Sequence, residues 1–413
     1  MVAEIPEASA PAPIGPHRFR SSPARAARIA QPLALVAGVR EPDLALVDEI
    51  GRRMLTRDET GAALARAMGR GREDPERVTM RAFHRALADG AAPAAGPAAL
   101  REFFAAVTPE PGWLDRDLLE RGARAYRRLG RSRDDVLLGL SLIGGYRYGG
   151  PTELLVRTGG LTGDGAMRRL AETQAWAFAV SAPGGMRPGG DGWRATLHVR
   201  AMHALVADRF ERGDRYDVAT HGLPINQSDS AATLGLFNST AILGCRLLGR
   251  HVSGTESRAI MHLWRYVGWL MGVDEDWLFD DERAQNVFNH HVLLAQGDVT
   301  PNGAALAVAL VDGLRSERTG GPLERLRGSW ERRRLLSLLR VFLRAEGMRD
   351  LDLPVTAPWA VPAQAVRNLV EVGVVARTRR GRRWLESRSD RRIEADLARR
   401  FGRDRPGPRD LAV

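Results

Sequence analysis

Arg169 and Thr173 stand four residues apart, and Arg200 and His203 three apart, each pair within a segment of helical patterning. Residues at these spacings share one helix face. Two arginines, a hydroxyl and an imidazole can therefore line two faces that close on one another. Such a set suits a buried cofactor: a neutral imidazole ligates a transition metal, arginines pair with carboxylates, and a hydroxyl offers a hydrogen bond.

The other candidates for metal chemistry are few. A single cysteine, Cys245, excludes an intrachain disulfide and cysteine-rich zinc or iron–sulfur sites. Its helical spacing with Leu234, Phe237, Ala241 and Leu248 reads as core. Of the nine histidines, none forms a His-Glu-x-x-His pattern. His290 and His291 are adjacent and diverge by about 100° on a helix. His262 flanks an apolar stripe, His17 and His251 sit in turn-like settings, and His84 lies in a polar, arginine-rich segment. His198 and His203, five apart, point to different sides of one helix. His203 is the better inward candidate, because Ala204, Val206 and Ala207 leave room for a flat ring. Arg200 lies one turn away, and a buried arginine needs a carboxylate partner, which a haem propionate would provide. Arg169 and Thr173 offer a second charge and a hydroxyl. A histidine so placed also serves as an ordinary core residue, and the local pattern leaves both readings open.

The elements that must carry these groups are almost all helices. The chain of 413 residues shows helical periodicity with scarcely any strand signature. Asp134 and Asp135 open a predicted helix that Gly144 and Gly145 end. Asp164 is the expected N-cap of a helix through Ser181, followed by one over residues 193–212. A further helix runs from about Asp229 to Gly249, and Ser253 with Glu256 forms a capping-box pattern before the next. Residues 1–40 read as a flexible arm, 45–345 as the helical body, and 350–413 as an arginine-rich appendage in which Val372, Val374 and Val375 suit a short hairpin.

The net charge of +11 does not imply nucleic acid, because the chain contains no lysine and its arginines are mostly dispersed. They cluster only near the C-terminus, from Arg377 to Arg392. That stretch reads either as a solvated tail or as a docking site for an acidic partner. No segment reads as a signal peptide or a transmembrane span, so the expected location is the cytoplasm. The oligomeric state is left open.

Residues 113–269 resemble the MpaB/rubber oxygenase family, which includes the latex clearing proteins. The resemblance rests on Trp113, on Gly122 through Tyr126, on Gly144-Gly145-Tyr146, on Arg169 with Glu172 and Thr173, on Arg200 with His203, on Gly222-Leu223-Pro224, and on Leu263 through Gly268. It implies an all-α fold whose globin-like core holds haem b. His203 would be the iron ligand, with Arg200, Arg169 and Thr173 around the haem. Glu153, sixteen residues before Arg169, stands where the family has a glutamate taken as the catalytic base. One departure is chemical: Glu172 replaces the lysine that latex clearing proteins place before the motif threonine.

The expected function is oxygenation of a small, apolar, unsaturated substrate, isoprenoid- or lipid-like, by O2 insertion or double-bond cleavage. The alternatives are a non-catalytic haem sensor or carrier, and a cofactor-free helical interaction protein.

Overall fold

A computed structural model describes residues 14–159, 163–213, 216–316 and 324–401, and every regular element among them is a helix. Side-chain caps fix many of the helix starts. Asp43, Asp58, Thr79, Asp115 and Asp281 each accept a backbone N–H of the first turn, which is worth about 1 kcal/mol apiece. Ser253 and Glu256 cap reciprocally, forming the box that their spacing predicts. No helix among the described residues is long and apolar enough to cross a membrane.

Two apolar cores lie side by side. The larger gathers Phe83, Phe103, Tyr126, Trp193, Trp264 and their neighbours, and the smaller gathers Tyr146, Leu170, Leu306, Leu310 and Leu339. Leu140 and Phe342 pack against both. The larger core is centred on the crossing of the Arg116–Arg128 helix with the Gly254–Leu270 helix. Gly122 permits this crossing, since a Cβ there would run into the carbonyl oxygen of Ala259.

Several boundaries differ from the sequence reading. Asp134 and Asp135 lie inside the Gly130–Val136 helix, and the chain continues as a π-helix over Leu137–Ile143 that ends at Gly144, the terminus that the glycines predict. The helix carrying Arg169 runs from Gly163 to Val180, so Asp164 falls within its first turn. The single helix expected to reach Gly249 is two, Gln227–Phe237 and Ser239–Leu247, broken at Asn238, whose side chain caps the second.

Near both ends of the described residues the structure departs from expectation. Residues 23–37 form a helix packed against Glu282–Ala295, with Ala26 and Ala30 buried and His290 Nδ1 3.2 Å from the Ala30 carbonyl. Within the expected C-terminal hairpin the structure places the helices Ala360–Gly373 and Arg379–Phe401, with a 3₁₀ turn between them. Valine favours strands only where a sheet partner exists. Here Gln364 and Asn368 instead anchor the first helix through Ser132, and Asn368 Nδ2 donates to the Leu248 carbonyl at 2.7 Å.

Replacing Gly122 with alanine should destabilise the fold by about 1–3 kcal/mol, read as a lower denaturant midpoint at unchanged slope. An unchanged midpoint would mean that the two helices can part without cost.

Candidate functional site

Between the two cores lies a cavity of about 1280 Å³. The π-helix forms part of its wall through Leu137, Leu138, Leu140 and Leu142. A π turn displaces the helix register by about one residue. On another side Trp176, Phe237 and Trp264 pack ring against ring, with Phe237 stacked on Trp264 at 5.0 Å between centroids. Trp176 Nε1 donates to Thr196 Oγ1 at 3.0 Å, which fixes the indole with its apolar body facing the void.

The Gly163–Val180 helix packs on the Asp191–Glu211 helix. Arg169, Glu172 and Thr173 from the first and Arg200 and His203 from the second all line the cavity. Glu153 does not. It is buried outside the lining, and its carboxylate accepts a hydrogen bond from Asn302 Nδ2 at 2.7 Å. The offset of Glu153 from Arg169 fixed its position in the chain, but its helix, Gly149–Arg157, turns the carboxylate toward the Pro301–Ser316 helix.

His203 lies deep in the protein, yet its ring is only partly covered because it borders the void. Burial lowers its pKa to about 4, so the imidazole is neutral at physiological pH. Among the described residues its ring makes no hydrogen bond. Other buried histidines have structural duties. His262 Nε2 accepts the Asp115 N–H at 3.0 Å, His291 Nε2 accepts that of Asp43 at 2.9 Å, and His198 stacks on His84. Thr173 likewise presents a hydroxyl to the cavity without an intramolecular hydrogen bond among the described residues.

Arg200 departs from the expectation that a propionate completes it. Asp58 already holds it, with Nε to Oδ2 at 2.6 Å and Nη2 to Oδ1 at 2.8 Å, while Nη1 donates to the Leu270 carbonyl at 3.2 Å. Phe103 covers the guanidinium at 4.9 Å. Gly272, at φ +77°, passes so close to the pair that a Cβ would lie 2.7 Å from Asp58 Cγ. Asp58 was not among the sequence candidates, because its visible role is to cap the Glu59–Met68 helix and Arg200 is 142 residues away. Among the described residues Arg169 is engaged only through Nη2, which donates to Thr158 at 2.9 Å to the carbonyl and 2.8 Å to the hydroxyl. Burial lowers its pKa, against the opposing charge of Glu172. Glu172 accepts from Arg168 Nε at 2.9 Å, and Arg168 is largely solvent-exposed.

Among the described residues no three His, Cys, Asp or Glu side chains converge on one point. The chain does not surround a metal ion with its own ligands there. A lone neutral histidine on a large cavity instead fits a metal whose remaining ligands come from a macrocycle, as in haem. The cavity also exceeds the roughly 300–1,000 Å³ of an ordinary ligand pocket, which leaves room for a substrate beside such a group.

Removing Asp58 as alanine should cost about 3–5 kcal/mol by stranding the buried guanidinium, whereas pairing that change with Arg200→Met should recover most of the loss in thermal unfolding. For His203 the folded pKa lies below the unfolded value. The stability it contributes is complete above pH 6.5 and is lost as pH falls toward 4, where the unfolded chain alone takes up the proton. Ring ¹⁵N shifts of the cofactor-free protein should show a histidine still neutral at pH 5 whose signal is absent in His203→Ala.

Residues 132–378 match the family described as ER-bound oxygenase mpaB/B'/Rubber oxygenase, catalytic domain. The chain is 24% identical over 277 residues to the rubber oxygenase of Streptomyces sp. (strain K30), with 67% of each chain covered. Its fold is similar to that of latex clearing protein in the closed state, with a TM-score of 0.61 over 83% of this chain and 91% of that one, at 18% identity. The family match spans more than half of the chain, and the protein therefore belongs to the MpaB/rubber oxygenase family and is an oxygenase.

Proposed function

We propose that the chain is a haem b-dependent oxygenase acting on an unsaturated, apolar, isoprenoid- or lipid-like substrate. The observation that carries this reading is the neutral, unbonded ring of His203 facing a large cavity with aromatic and aliphatic walls. His203 would hold the iron. Arg169, with most of its N–H groups unspent, would meet a propionate, and Arg200 would act from behind by orienting the His203 helix through Asp58. When bound, the haem supplies a redox-active iron for the reduction of dioxygen.

The residues of the chain bind and orient the organic substrate. Trp176, Phe237, Trp264 and the leucines of the π-helix exclude water from the double bond. Thr173 offers a hydrogen bond beside them. Glu172 takes the acid–base role that the family resemblance suggested for Glu153, because its carboxylate borders the cavity and, among the described residues, bonds only to an exposed arginine. An allylic proton would pass to Glu172 Oε2, the oxygen that does not bond Arg168, and would return from it to the substrate before product release. Cleavage balances if both atoms of O2 end as the two carbonyl oxygens at the severed double bond.

The wild-type protein expressed with haem should show a Soret band with about one haem b per chain, and His203→Ala should lose it. Full retention by that variant would remove His203 as the ligand. Glu172→Gln should keep the band and lower oxygen uptake with unsaturated terpenoids at least about tenfold, within the range for loss of a general base. Glu153→Gln should leave uptake unchanged. A Soret band without oxygen uptake on any such substrate would favour a haem carrier.

A further inference from the structure

The Ala360–Gly373 helix is inverted in polarity. Its inward face carries Gln364 and Asn368, both buried and bonded to Ser132. Its outward face carries Val366, Leu369, Val370 and Val374, of which Leu369 is 62% and Val374 66% exposed. At about 100° per residue these four fall on one stripe about 140° wide. Trp359, at the N-cap, extends the stripe and pairs with Trp330 at 6.2 Å between ring centroids, each 46% exposed. A helix on a protein surface ordinarily turns such a stripe toward the core. Here a polar anchor holds it outward.

The turn after it and the start of the following helix, before Glu386, carry only positive charge. Gly381 packs tightly on the Val375 carbonyl and folds the Arg379–Phe401 helix back, so that Arg388 reaches Glu371 at 3.3 Å. Arg377, Arg379, Arg380 and Arg383 are exposed, close in sequence to the end of the stripe, and make no ion pair among the described residues. Trp384 is half-exposed beside Arg388, which lies 5.1 Å over its ring.

We propose that these two helices form a docking surface for an anionic lipid bilayer. Aliphatic and tryptophan side chains enter the boundary between headgroups and acyl chains, while the arginines pair with lipid phosphates. Charge complementarity selects this occupant. A second copy of the chain would set like arginines against one another, whereas a negatively charged membrane offers phosphate and apolar depth on one face. The proposal is independent of the reading of the cavity.

Flotation of the full-length protein with vesicles tests it. The chain should float with vesicles of phosphatidylcholine and phosphatidylglycerol, float poorly with phosphatidylcholine alone, and be released as sodium chloride rises. Replacing Leu369 and Val370 together with glutamate should abolish flotation, and each of Arg379→Gln, Arg380→Gln and Arg383→Gln should weaken it about fivefold. These positions are exposed, so the thermal midpoint should stay unchanged and separate lost binding from lost folding. Failure of the wild type to float with anionic vesicles would overturn the proposal, as would equal flotation of the glutamate variant. A concentration-dependent dimer in sedimentation, lost in that variant and unaccompanied by flotation, would overturn it in favour of self-association.

Discussion

The pairing of Arg200 with Asp58 is the constraint on which the site depends. A guanidinium buried without a carboxylate would cost several kcal/mol, and here every part of the surroundings is fitted to the pair. Asp58 caps its own helix through the Gly61 N–H, and Leu270 supplies a carbonyl. Gln227 Nε2 bonds the Gly272 carbonyl at 2.8 Å, fixing the loop that presses on both charges. Arg200 leaves the Asp191–Glu211 helix one turn before His203, so a fork held at both Nε and Nη2 sets the rotation of that helix. The imidazole is thereby aimed at the void without any hydrogen bond of its own.

The void itself follows from incompatible packing on its two sides. One core is dense with aromatic rings and the other with leucines, and the chain passes between them through Leu137–Ile143. A regular α-helix would repeat its side chains every 3.6 residues. The wider π turn lets leucines face both cores in succession, at the expense of the tighter hydrogen-bond ladder. Gly139 and Gly144 accommodate Phe342 and Leu343 from the helix beyond, where a Cβ would lie 3.1 Å from each side chain. The segment thus joins the cores and still leaves a gap between them.

How much of this could be read from the sequence depends on the range of the interaction. The helical class, the Ser253–Glu256 box and the core setting of Cys245 are local consequences of spacing, and the structure shows each of them. The alignment of Arg169, Thr173, Arg200 and His203 toward one cavity also has local periodicity behind it. Asp58 could not be read, because nothing within a few residues distinguishes a capping aspartate from one that also holds an arginine from a distant helix. Glu153 lies off the cavity lining for a related reason. A matching offset locates a residue along the chain, but the rotation of a nine-residue helix decides what its carboxylate meets. The C-terminal valines show the same limit: the choice between strand and helix was made by Ser132, more than two hundred residues away.

Glu172 changes the electrostatics of the cavity more than its shape. A lysine at that position would add positive charge beside Arg169, whereas a carboxylate offsets it and draws Arg168 across the helix surface. Arg200 is neutralised by Asp58, and His203 carries no charge. The cationic groups nearest the imidazole thus have carboxylates beside them, in a lining that sets Trp176, Phe237, Trp264 and the leucines of the π-helix among other charged side chains such as Arg133, Asp134 and Arg147. A charged substrate held against the Trp176, Phe237 and Trp264 rings would lose hydration that those rings cannot repay. An uncharged hydrocarbon bears no such cost at those rings.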